Sequence, residues 1–147
     1  MSDLSKYFDH NATTPMSEEA LRVWNETNSS HWQNPSSLYL EAGGAKTRLE
    51  ECREELADEL GINVPERVVF TCGATEANNV VIRFLIQESG KPVAVSAIEH
   101  PCVEATASPW IESGRVREIP VDPRTGIIEW EILSSWVKRG EISAVSV

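Results

Sequence analysis

The sequence predicts an α/β fold, a mainly parallel sheet flanked by helices, on two observations. From residue 67 onward, short β-branched runs recur with helical patterns between them. Each of those helical patterns is followed by a glycine, where the chain can turn back toward the next run. Strands alternating with helices build βαβ units with right-handed crossovers.

The elements follow in chain order. Ser17, followed by Glu18 and Glu19, reads as the N-cap of a helix whose first-turn acids favour the positive end of the dipole, and Trp24 is expected to face the core. Residues 25–37 are polar and contain Asn34-Pro35-Ser36-Ser37, a loop. Leu38, Ala42, Ala45, Leu49, Cys52, Leu56 and Leu60 then recur at intervals of three and four, one face of a long helix that Gly61 closes. Glu50, Glu51, Glu54 and Glu55 form its wet side. Strands are expected at 67–72, 93–98, 116–121 and 142–147, and helices at 75–88, 101–113 and 129–138, closed by Gly90, Gly114 and Gly140. Pro109 removes a donor inside the second of these helices, which should kink or restart there. Trp110, Trp130 and Trp136 fall on apolar helical patterns and read as core or interface anchors.

Composition bounds the function. The chain has 147 residues, one domain's worth, with 41% hydrophobic and 24% charged residues, which argues against disorder. Its formal charge is -10 and its basic residues are scattered, so nucleic acid and anionic membrane surfaces are set aside as partners. No run approaches the roughly 18 apolar residues that span a bilayer. The opening Met-Ser-Asp-Leu-Ser-Lys lacks the apolar core of a signal peptide, so a cytoplasmic protein is expected. Cys52, Cys72 and Cys102 match neither a disulfide framework nor a metal-site spacing, and reduced thiols are expected.

The chemistry-bearing stretch is Phe70-Thr71-Cys72-Gly73-Ala74-Thr75-Glu76-Ala77-Asn78-Asn79, which passes from an expected strand to a helix through a glycine. Free amides at that helix start, with the Thr75 hydroxyl beside them, make a cradle for a phosphate, and Gly73 would let the backbone turn and approach the anion. The plainer reading is that Thr75 and Glu76 only cap the helix. Glu99-His100-Pro101-Cys102 follows the next strand directly, which places His100 at the carboxyl edge of the sheet, where α/β folds bind ligands. A ring stacked on a flat cofactor suits that position; so does an ordinary hydrogen-bonding histidine. A His100–Cys102 metal pair would need further ligands, and a thiol nucleophile would need an orienting partner and oxyanion donors. His10 and His31 read as loop histidines, and no metal site is expected.

Four motifs, Asp9-His10-Asn11-Ala12-Thr13-Thr14-Pro15, Asn34-Pro35-Ser36-Ser37, the stretch 70–79 and Glu99-His100-Pro101-Cys102-Val103, together resemble the cysteine desulfurase family in order and spacing. These are pyridoxal-phosphate enzymes of the class V aminotransferase group. The resemblance implies the first part of a fold-type I large domain, with residues 1–15 belonging to the small domain and 16–147 beginning the large, cofactor-binding one. It implies that Ala74 and Thr75 hold the phosphate of pyridoxal 5'-phosphate and that His100 stacks on the pyridine and handles protons near the substrate thiol. Asn11 and Ala12 would lie on the substrate side. The sequence departs from the family's pattern at His10, Cys72, Tyr39 and Ala42. Cys72 is not expected to be a nucleophile.

The family's reaction also needs a Schiff-base lysine, an Asp for the pyridine nitrogen and a persulfide-carrying Cys. The resemblance places all three beyond residue 147, and Lys6, Lys46 and Lys138 sit in no matching motif. It therefore implies a protein that converts cysteine to alanine and passes sulfur to an acceptor, often for iron-sulfur cluster assembly, but that is inactive as these residues alone. Self-association, or a complementary C-terminal chain, would supply the rest. Selenocysteine lyase or another class V enzyme is the sibling reading, and a non-catalytic remnant or interaction module of the same fold the rival one.

Overall fold

A computed structural model describes residues 6–147. They divide into two compact units that meet in sequence at Val69 and Phe70.

The first unit is helical. Helix α1, Glu18–Ser30, starts as expected at Ser17, whose hydroxyl accepts the Ala20 amide at 3.1 Å. Helix α2, Gly43–Glu59, is preceded by a single 3-10 turn at Leu40–Ala42, so the long apolar pattern is regular helix only from Gly43. Gly61 follows it at a φ of 67°, a left-handed conformation that glycine adopts without a Cβ clash. The glutamate face of α2 is wet, and Arg48 and Arg53 pair along it with Glu51 and Glu50. Two expectations fail, one in this unit and one at its end. Trp24 is 59% exposed, and α1 buries no residue at all. The expected strand at 67–72 is instead a 3-10 turn, Pro65–Arg67, followed by chain in no regular element. A strand exists only through its ladder, and neither edge of the sheet pairs with this segment.

The second unit holds the sheet. Helix α3, Ala74–Glu88, leads to strand β1, Val93–Ser96; helix α4, Pro101–Ala107, leads to β2, Val116–Ile119; and helix α5, Trp130–Lys138, leads to β3, Ala144–Ser146. The strand order is β2-β1-β3, all parallel, with Val93 opposite both Val116 and Ala144. The helix expected at 101–113 is α-helical only to Ala107; a 3-10 turn at Ser108–Trp110, which holds Pro109, follows it, the change of helix type falling where a kink or restart was expected.

Every residue of β1 is buried, the burial of a central strand covered on both faces. Val93 and Val95 face Ile82 and Ile86 of α3 and Val103 and Ala107 of α4, while Ala94 joins Ile119 and Leu133 of α5 on the other side. Trp110 packs against the first cluster and Trp136 against the second, whereas Trp130 is exposed. The period-2 alternation of β1 thus separates two cores with one strand. The far end of α3 is fixed by the Arg115 guanidinium, which donates to the carbonyls of Ile86 and Ser89, the latter at 2.7 Å. This satisfies acceptors that a helix end otherwise leaves open.

Candidate functional site

The packing of α3 and α4 on one face of β1 joins the second turn of α3 to α4 through side-chain hydrogen bonds. In α3 the first backbone bond of helical spacing runs from the Ala77 amide to the Gly73 carbonyl, at 3.2 Å. The amides of Ala74, Thr75 and Glu76 therefore precede the helical ladder, as the first amides of any helix do. Gly73 has a φ of 164°, an extended conformation open to any residue, and a Cβ there would meet nothing within 4 Å. Its expected role as a special turn is corrected accordingly. What Gly73 leaves at this helix start is open space.

Glu76 reaches back to accept the Cys72 amide at 2.7 Å. That hydrogen bond holds the Glu76 carboxyl below its ordinary range, and the carboxylate in turn pushes the Cys72 thiol up, away from the thiolate form a nucleophile needs. Glu76 thus binds the amide of Cys72, which precedes the N-cap Gly73, and not an amide of the helix's own first turn, so the plain capping reading is not realised there.

His100 is exposed and is the N-cap of α4. Its Nδ1 accepts the Cys102 amide at 3.2 Å and lies 3.0 Å from Cys102 Sγ. Asn78 of α3 donates from Nδ2 to the same sulfur at 3.2 Å. A second tie runs in parallel: Asn79 Nδ2 donates to the Thr75 carbonyl at 2.8 Å, and the Thr106 hydroxyl lies 2.7 Å from Asn79 Oδ1. Residues Thr75 and His100, each singled out from the sequence, are thus linked through Asn78, Asn79, Cys102 and Thr106. The loop carrying His100 is also tied to β3, because the Ser146 hydroxyl lies 2.6 Å from Glu99 Oε1.

Sequence reasoning gave these four linking residues no part in joining the two helices. A signal existed, since adjacent asparagines in the first turns of a helix are poor helix formers, retained where their side chains make hydrogen bonds. Asn11 and Ala12 lie exposed in a turn of the first unit, closed by the Ala12 amide on the Asp9 carbonyl at 3.1 Å. Nearby, the His10 ring meets Tyr7 edge-on. Among the described residues, no three His, Cys, Asp or Glu side chains group as metal ligands, and no helix is long and apolar enough to cross a membrane.

A parallel sheet with helices on both faces defines an open-sheet α/β architecture. Comparison with known proteins makes it specific: the chain belongs to the class-V aminotransferase family, which residues 6–146 match. It is 33% identical over 145 residues to the putative cysteine desulfurase NifS of Bacillus subtilis, covering 96% of this chain and 36% of that protein. It is 40% identical over 85 residues to the selenocysteine lyase of Bos taurus, covering 58% of this chain and 19% of that one. Among solved structures, SspA in complex with cysteine superposes with a TM-score of 0.65 at 36% identity, covering 80% of this chain and 35% of that one. The chain thus spans about a third or less of the relatives it matches. The fold is that of the first part of a fold-type I large domain, mainly parallel and flanked by helices, as the four motifs implied.

Proposed function

We propose that these residues are the N-terminal part of a pyridoxal-phosphate-dependent cysteine desulfurase, which converts cysteine to alanine and passes the sulfur to an acceptor protein. The observation that supports this reading is the joining of α3 to α4 by Asn78 and Asn79, with Asn79 also bonded to the Thr75 carbonyl and His100 to Cys102, so that Thr75 and His100 belong to one hydrogen-bonded network. The residues present fit the group. The Ala74 and Thr75 amides precede the helical ladder, the space at Gly73 is open, and Glu76 is engaged with Cys72.

Pyridoxal phosphate, when bound, supplies the electron sink for the chemistry at the substrate's α-carbon. Ala74 and Thr75 hold its phosphate by backbone amide and hydroxyl. His100 stacks on its ring and handles a proton near the substrate thiol. Asn11 and Ala12 lie on the substrate side, residues 1–15 belong with the small domain, and 16–147 begin the large one. The Schiff-base lysine and persulfide cysteine come from polypeptide outside these 147 residues, in the same chain or in a partner, and the working protein is an oligomer. A second reading, selenocysteine lyase, is favoured by the likeness to the bovine enzyme.

Residues 1–147 mixed with a C-terminal complement, pyridoxal phosphate and cysteine should yield alanine and persulfide, whereas residues 1–147 alone should yield neither. Failure of the mixture where a full-length control works would count against the reading. Thr75→Ala should weaken cofactor binding by about tenfold to a hundredfold, the loss of one hydrogen bond to a charged group. Relative kcat/KM for cysteine and selenocysteine decides between the two substrates.

A further inference from the structure

His100 carries a feature that the cofactor reading does not require. A backbone N–H can only donate, so the Cys102 amide at 3.2 Å obliges His100 Nδ1 to be an acceptor. In the neutral ring the proton is then on Nε2. The sulfur at 3.0 Å from the same nitrogen agrees with this, because Asn78 Nδ2 donates to Sγ and occupies it as an acceptor, leaving the S–H to point at Nδ1. Asn78, Cys102 and His100 therefore form a one-way series of donors that ends on the ring.

We infer that Cys102 is a positioning residue for His100: its amide fixes the Nε2–H tautomer, and its thiol, backed by Asn78, adds a second donor to Nδ1, so that Nδ1 is committed to Cys102 and Nε2–H is presented as a hydrogen-bond donor. A neutral His100 so held donates at Nε2 and does not accept there. To take up a proton it must use Nδ1, which breaks its bond from the Cys102 amide and turns the sulfur into the acceptor. The place of this device at a cofactor rests on the function proposed above; the tautomer itself does not.

Two-bond 15N correlation spectra of the His100 ring in residues 1–147, near neutral pH, read the tautomer directly. The expected pattern is an unprotonated, pyridine-type Nδ1 and a protonated, pyrrole-type Nε2. Cys102→Ala keeps the backbone donor and removes the sulfur, so Nδ1 should shift downfield while the tautomer persists. Cys102→Ser, which restores an O–H donor, should bring it back. Asn78→Ala, with Cys102 left in place, should move Nδ1 the same way by less, and it serves if Cys102→Ala loses the dispersed β1 amide resonances of the folded sheet. A protonated Nδ1 in the unaltered chain, or an Nδ1 shift that none of the folded variants changes, overturns the inference. Pyridoxal phosphate binding, followed by absorbance in residues 1–147 mixed with the C-terminal complement, is separate: failure to bind where a full-length control binds, with the Nε2–H pattern intact, overturns the cofactor reading alone.

Discussion

The two units bury very different things. In the second, branched aliphatic side chains from three helices close on both faces of β1, and Ile86, Val93 and Ile119 are fully enclosed. In the first, the buried residues among those described are Ala42, Ala45 and Ala57, while Leu38, Leu40, Leu56 and Leu60 remain exposed. Burial of apolar area is what offsets the entropy of ordering a chain, so the same length of polypeptide is held far more firmly after residue 70 than before it. The machinery that links Thr75 to His100 lies wholly in the firm part.

That contrast is open to attack by mutation. The largest effect expected is from Ile86→Ala, which removes a fully enclosed side chain between α3 and β1 and should cost about 2–5 kcal/mol in urea unfolding followed by near-ultraviolet signal. Leu56→Ala, at a position 43% exposed on α2, should cost less than about 1 kcal/mol in the same measurement. Equal losses would erase the distinction between the units. Next in size is Ser17→Ala, which deletes the cap on the Ala20 amide and should cost α1 about 1 kcal/mol. Hydrogen exchange should quicken in α1 and stay unchanged in β1.

The smallest effect sharpens the boundary itself. Because Glu76 is held below its ordinary carboxylate range in the folded chain, its bond to Cys72 stabilises the start of α3 above that range. The contribution is lost as pH falls through the lowered value. Glu76→Gln should remove this pH dependence from amide exchange at Cys72 without altering exchange in β1, and an unchanged profile would mean that the carboxylate does not hold the turn.

Local rules made much of the second unit legible. Pro109 acted through its own backbone chemistry, as Ser17 of the first unit did through its hydroxyl, and α3, α5 and the three strands of the sheet were marked by patterns that need no knowledge of neighbours. The failures share a different cause. Residues 67–72 have the composition of a strand, but pairing depends on a ladder from elsewhere, and Val69 is 75% exposed. Trp24 has the character of a core residue, but a core is a property of what packs around it. At the candidate site, the sequence marked Ala74, Thr75 and His100 by motif. It was silent on the Asn78–Cys102 and Asn79–Thr106 ties, because these join residues more than twenty positions apart.

The parallel ladders of β1 carry a consequence for biosynthesis. Val93 must wait for Val116 before its first edge is closed and for Ala144 before its second. During translation, a strand that the folded sheet buries at every residue therefore emerges well ahead of one of its neighbours, with an unsatisfied edge in the interval. Nascent chains of this protein should accordingly depend on holding by chaperones until the residues of β3 have cleared the ribosome.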